Sequence, residues 1–126
     1  MQVTARTPAM TAMTAMTLSS LSEGRFILGL GSSGPQIDEG LHGQSFEKPL
    51  SRMKESIEVI RAAFAGEKIP VSGEQIQLPL PGGEGKPMRL AQPPNEEIPL
   101  YLATLGPKSL ESVSYTHLTL PTIYSV

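Results

Sequence analysis

An α/β fold with a parallel sheet is predicted by three features of this 126-residue chain. The first is an apolar run, Arg25 to Leu30, flanked by glycines, and the second is an amphipathic segment from Pro49 to Ala65. The third is another short apolar run, Leu100 to Thr104, so that strands and helices alternate. Alternation of this kind implies right-handed crossovers and parallel pairing. A strand with so few polar positions is expected to be covered on both faces.

The first helix is expected from about Thr7 to Leu21. Thr7 caps it, Pro8 suits its first turn, and Gly24 ends it in the left-handed conformation. Its TAMTAMT core places Met10, Met13, Thr17 and Leu21 on one face at helical spacing, as core filling, and its small residues suggest close packing on a sheet. Residues before Thr4 are expected to supply no strand. The Arg25 to Leu30 strand then runs into GLGSSGPQ, where Gly29, Gly31, Gly34, Ser32 and Ser33 leave backbone N–H groups open to close approach by a ligand. GLGSSG satisfies G-x-G-x-x-G, but Pro35 follows the third glycine. The stretch about 20 residues further on is helical, where a dinucleotide domain needs the end of a second strand.

A loop reaches His42-Gly43, and the second helix follows. Leu50, Met53, Ile57, Ile60 and Phe64 form its apolar stripe, with Arg52, Lys54, Glu55, Glu58 and Arg61 on the other faces. Residues 66–99 are rich in Pro and Gly and read as a long surface insertion holding at most a hairpin near Gln75 to Leu78. After the last strand, Leu105-Gly106-Pro107-Lys108 forms a turn, and Ser109 to Glu111 starts a helix.

Composition narrows the function. Net charge is −2, which gives no reason to expect nucleic acid or an anionic membrane as partner. Without cysteine there is no thiol nucleophile, thiolate metal site or disulfide. No apolar run approaches the roughly 18 residues of a membrane span, and a basic signal-peptide start is lacking, so a cytoplasmic location is expected. Two histidines without ligand spacing suggest no metal site. Adjacent Asp38 and Glu39 point about 100° apart on a helix, so they are read as solvated loop carboxylates rather than a paired acid and base. His42 is read as a hydrogen-bonded loop histidine, with proton donation beside a cofactor as its other reading.

The segments from RTPAMTAMTAMTLSSLSEGRFILGLGSSGPQIDEGLHG to IEVIRAAFAG, followed by LPLPGGEGKP and IPLYLATLGPKSLE, resemble the luciferase-like monooxygenase family, and within it the deazaflavin-dependent oxidoreductases. The resemblance covers about Thr4 to Ser112 and implies a fragment of a TIM-type (β/α)8 barrel: two parallel strands, flanking helices and the insertion. It implies coenzyme F420, or FMN in other branches, at the carboxyl face of the barrel, with hydride transfer to or from a small organic substrate and a homo-oligomeric parent. Carried over residue by residue, Ser32, Ser33, Gly34, Pro35 and Gln36 would contact the cofactor, and Gly106, Pro107 and Lys108 would hold its phosphate. Leu41 stands where relatives often carry an aromatic residue, and no residue is matched to a catalytic acid or base. The reading therefore sets residues 1–112 as part of a barrel domain. Residues 113–126 form a non-native tail, because VSYTHL reads as the translation of a transposase-end sequencing adapter. The alternative for the tail is a short terminal strand, interrupted by Pro121. The fragment alone is expected to be inactive. An FMN-dependent monooxygenase and a small anion-binding module without chemistry remain the alternatives.

Overall fold

The computed structural model describes residues 1–103. Two short strands, β1 (Leu28–Leu30) and β2 (Leu100–Leu102), pair in parallel with Leu28 opposite Leu100, Gly29 opposite Tyr101 and Leu30 opposite Leu102. Helices α1 (Pro8–Leu21) and α3 (Pro49–Phe64) pack against one another. A single turn, α2 (Pro35–Asp38), lies between them in sequence, within the predicted loop. The insertion forms a small antiparallel hairpin, Val71–Ser72 with Gln77–Leu78, at the position the sequence allows for one.

Alternation along the strands sorts their residues. Leu28, Leu30, Leu100 and Leu102 are buried with Ala12, Ala15, Met16, Ile57, Ile60 and Phe64 in one apolar cluster. Burying a leucine of this kind stabilises a fold by about 1.5–3 kcal/mol. Gly29 and Ile27 are exposed and Tyr101 is half-buried. Among the described residues only one face of the sheet is therefore covered, where the apolar run suggested both.

The strand pairing extends further than expected at the start of the chain. Gln2 bridges Gly31 in parallel, the Gly31 N–H donates to the Met1 carbonyl at 2.9 Å, and the Val3 N–H donates to the Gly31 carbonyl at 3.1 Å. Met1 to Val3 thus occupies a third strand position beside β1. The expectation that nothing before Thr4 contributes to the sheet is corrected.

Helix α1 begins as its sequence dictates: the Thr7 hydroxyl accepts from the Met10 N–H, and Pro8 occupies the first turn. Past Leu21 the chain passes through Glu23 and Gly24, both at positive φ, as expected for the glycine. The buried face differs from the predicted one. Thr11, Ala12, Ala15, Met16 and Ser19 face inward, while Met10 and Leu21 are exposed. The three-residue repeat is nearly uniform around the helix, so close packing on α3 selects the small residues Ala12 and Ala15 for the interface.

Helix α3 buries Met53, Ile57, Ile60 and Phe64 as predicted, with Leu50 half-buried at its start. Glu55 departs from the pattern. Placed by sequence on a solvent face, it is buried, and its carboxylate accepts the backbone N–H groups of Glu74, Gln75 (2.9 Å) and Ile76 (3.1 Å). The hairpin brings three backbone donors to the helix, and they satisfy the charge in place of water. The far end of the insertion is tied down as well, by the Asn95 N–H donating to the Phe64 carbonyl at 2.8 Å.

Candidate functional site

Beyond Leu30 the chain turns sharply away from the sheet. Gly31 is held by its bonds to Met1 and Val3, Ser32 and Ser33 follow, and Gly34 caps α2 by accepting from the Ile37 and Asp38 N–H groups at 3.1 and 2.9 Å. Asp38 is 1% exposed, and the Thr4 hydroxyl donates to its Oδ1 at 2.8 Å. The solvated role expected for Asp38 is thus corrected, because the third strand position brings Thr4 over it. Glu39 is exposed and accepts from the Phe46 N–H at 3.2 Å.

This turn forms one wall of an open cleft of about 470 Å³ at the carboxyl ends of β1 and β2, lined chiefly by Gln2, Gly29, Gly31, Ser32, Ser33 and Tyr101. A Cβ on Gly29 would meet nothing within 4 Å, so the missing side chain leaves free space in the cleft floor. Among the described residues no carboxylate, guanidinium or lysine side chain lines the cleft. What it offers is a flat backbone floor, two hydroxyls, an amide and an aromatic ring.

Gln2 connects the cleft to its surroundings. Its Nε2 reaches the Ser33 Oγ at 3.5 Å, and its Oε1 accepts from His42 Nε2 at 2.9 Å. The histidine is hydrogen-bonded, as the sequence suggests, and its ring is held one residue away from the cleft rather than in it. Among the described residues no group of histidines and carboxylates could hold a metal ion, and no helix is long and apolar enough to cross a membrane.

The sequence-predicted site residues divide three ways. Ser32 and Ser33 line the cleft. Gly34, Pro35 and Gln36 form the start of α2, with Pro35 and Gln36 exposed. Gly106, Pro107 and Lys108 lie outside the described residues, as does the 113–126 tail. Gln2 and Tyr101 were not anticipated. Period-two alternation was the available signal for Tyr101, since it stands opposite Gly29 and shares its face; for Gln2 there was none.

The position of the cleft is that of ligand sites in (β/α)8 barrels, which lie in the loops after strand carboxyl ends. Known proteins resemble this chain in sequence and in fold. The model of the luciferase-like monooxygenase family matches residues 1–118. A protein of Mycobacterium tuberculosis named as a coenzyme F420-dependent oxidoreductase is 45% identical over 116 residues, covering 87% of this chain and 33% of that protein. The 5,10-methylenetetrahydromethanopterin reductase of Methanolobus tindarius is 39% identical, covering 84% of this chain and 30% of its own length. The structure of the coenzyme F420-dependent tetrahydromethanopterin reductase of Methanopyrus kandleri superimposes with a TM-score of 0.67 at 23% identity, over 89% of this chain and 35% of that one. The chain thus spans about a third of the length of these relatives, and its parallel strands and flanking helices are part of a TIM-barrel fold. It belongs to the luciferase-like monooxygenase family.

Proposed function

We propose that this chain forms one sector of the cofactor-binding face of an oxidoreductase that transfers a hydride between coenzyme F420 and a small organic substrate. The observation that carries the reading is the cleft itself. Its floor is bare backbone at Gly29 and Gly31, hydroxyls border it at Ser32 and Ser33, and it lies where barrel ligands bind. Such a floor suits a flat ring system lying close to the main chain, and the names of the relatives favour F420 over FMN. Bound there, the deazaflavin supplies a carbon that accepts or gives up the hydride.

The chain's own residues bind and orient. Ser32 and Ser33 donate hydrogen bonds along one side of the cleft, and Gln2 fixes the Ser33 hydroxyl while holding His42 behind it. Gly34, Pro35 and Gln36 extend this wall, and Gly106, Pro107 and Lys108 complete the reading as the phosphate-holding turn. One sector leaves the opposite wall open, so this chain alone binds cofactor without turning over substrate, because hydride transfer needs both reactants held at near-attack distance. The domain reading is part of the proposal: residues 1–112 belong to the barrel and 113–126 do not, which sequencing of the source gene across codon 113 tests.

The functional test is a fluorescence titration of F420 and of FMN against the chain. Saturable F420 binding, with FMN at least tenfold weaker, supports the reading. Tighter FMN binding replaces F420 with FMN, and binding of neither rejects the cleft as a cofactor site.

A further inference from the structure

Behind the Gln2–His42 pair lies a second cavity, of about 310 Å³, walled by Arg6, Thr7 and Pro8 at the head of α1, by His42, and by Arg52 and Ser56 on α3. Arg6 and Arg52 are its basic lining residues, the exposed Arg6 reaching Met1 Sδ with its Nη1 at 3.2 Å, and among the described residues no carboxylate side chain lines it. The 14-residue helix α1 starts here with no acidic residue in its first turn, so the positive end of its dipole is not offset locally. Independently of the helix, Ser56 is 2% exposed and its hydroxyl has no hydrogen-bond partner. The Arg52 Nε–H is buried and unpartnered as well, while its Nη2 donates to Gln75 Oε1 at 3.4 Å. Two buried donors on consecutive turns of one helix, beside one cavity, are costly unless an acceptor meets them.

We propose that this cavity binds an oxyanion, phosphoryl or carboxylate, through Arg52 and Ser56 at the head of α1. The site is separate from the cofactor cleft and does not rest on the reading given to that cleft. Arg52 supplies the charge-assisted bond through Nε–H, Ser56 donates its hydroxyl, and Arg6 raises the local positive potential.

The test is calorimetric titration of the 126-residue chain with inorganic phosphate and with glutarate, in chloride buffers of matched ionic strength. Saturable binding of at least one is expected. Arg52→Gln should weaken it on the order of tenfold, the size of one charge-assisted hydrogen bond. Arg52→Gln also disturbs the contact with Gln75, so Ser56→Ala is the second variant. It removes an unpartnered hydroxyl, so the unliganded fold should be at least as stable as before, and it should still weaken anion binding about threefold. Tighter phosphate binding assigns the pocket to a phosphoryl group, and tighter glutarate binding to a carboxylate. Absence of saturation with both anions, or unchanged affinity in both variants, overturns the proposal and leaves the cavity to water.

Discussion

Glu55 and Gly73 are fitted to one another: a Cβ built on Gly73 would stand 2.1 Å from the Glu55 Oε1. The fit lets the carboxylate sit under the hairpin and accept its backbone donors. Gly73→Ala is expected to destabilise the chain by about 1–3 kcal/mol through overpacking. Glu55→Gln should cost a similar amount, about 1–3 kcal/mol, because an amide N–H₂ then faces backbone N–H groups. Urea unfolding measures both. Glu55→Asp combined with Gly73→Ala should recover part of the loss, and strict additivity would show that the two residues do not share this space.

Thr4→Val should cost about 1–3 kcal/mol, since it leaves the buried Asp38 carboxylate without the hydroxyl that donates to it at 2.8 Å. Thr4→Ser keeps the donor and should restore most of the stability. Equal unfolding midpoints for wild type and Thr4→Val would remove Thr4 from any role in seating α2.

Gly29→Leu separates binding from folding. Nothing lies within 4 Å of the added Cβ, so circular dichroism and the unfolding midpoint should be unchanged while the side chain fills the cleft floor. F420 affinity measured by fluorescence should fall on the order of tenfold or more. Unchanged affinity would move the ring away from this floor.

The Lys48–Glu74 ion pair, at 2.9 Å, joins the start of α3 to the hairpin with both side chains more than half exposed. The hydrogen bond to Glu74, followed by its charge, raises the Lys48 pKa above its ordinary 10.5. A raised folded-state value means that the pair's support is fully present below 10.5 and is lost as pH rises through the folded value. Exposure screens the pair, so Lys48→Met should leave the urea midpoint at neutral pH unchanged. A clear drop would show the hairpin to be held from its rim as well as by Glu55.

How much was legible depended on whether a residue's role is set by its neighbours in sequence. Thr7 and Pro8 announce the start of α1, and Met53, Ile57, Ile60 and Phe64 announce the buried stripe of α3, because capping and helical period act over three or four residues. The glycines and hydroxyls of GLGSSG marked Ser32 and Ser33 for the same reason: a turn after a strand exposes backbone wherever the strand pairs. Glu55 and Asp38 were misread because a carboxylate looks solvated until a donor arrives from elsewhere in the chain.

The chain's own order of residues determined the alternation of helix and strand, the caps, the α3 stripe and the glycine turn, all products of local sterics and hydrophobic period. Tertiary structure decided which face of the repetitive α1 is buried, that Met1 to Val3 lies beside β1, and that Tyr101 stands beside Gly29 on one face of the sheet. It also decided that Gln2 joins Ser33 to His42, 31 and 40 residues away. These are choices among locally equivalent arrangements, and only packing and hydrogen bonding between distant segments distinguish them.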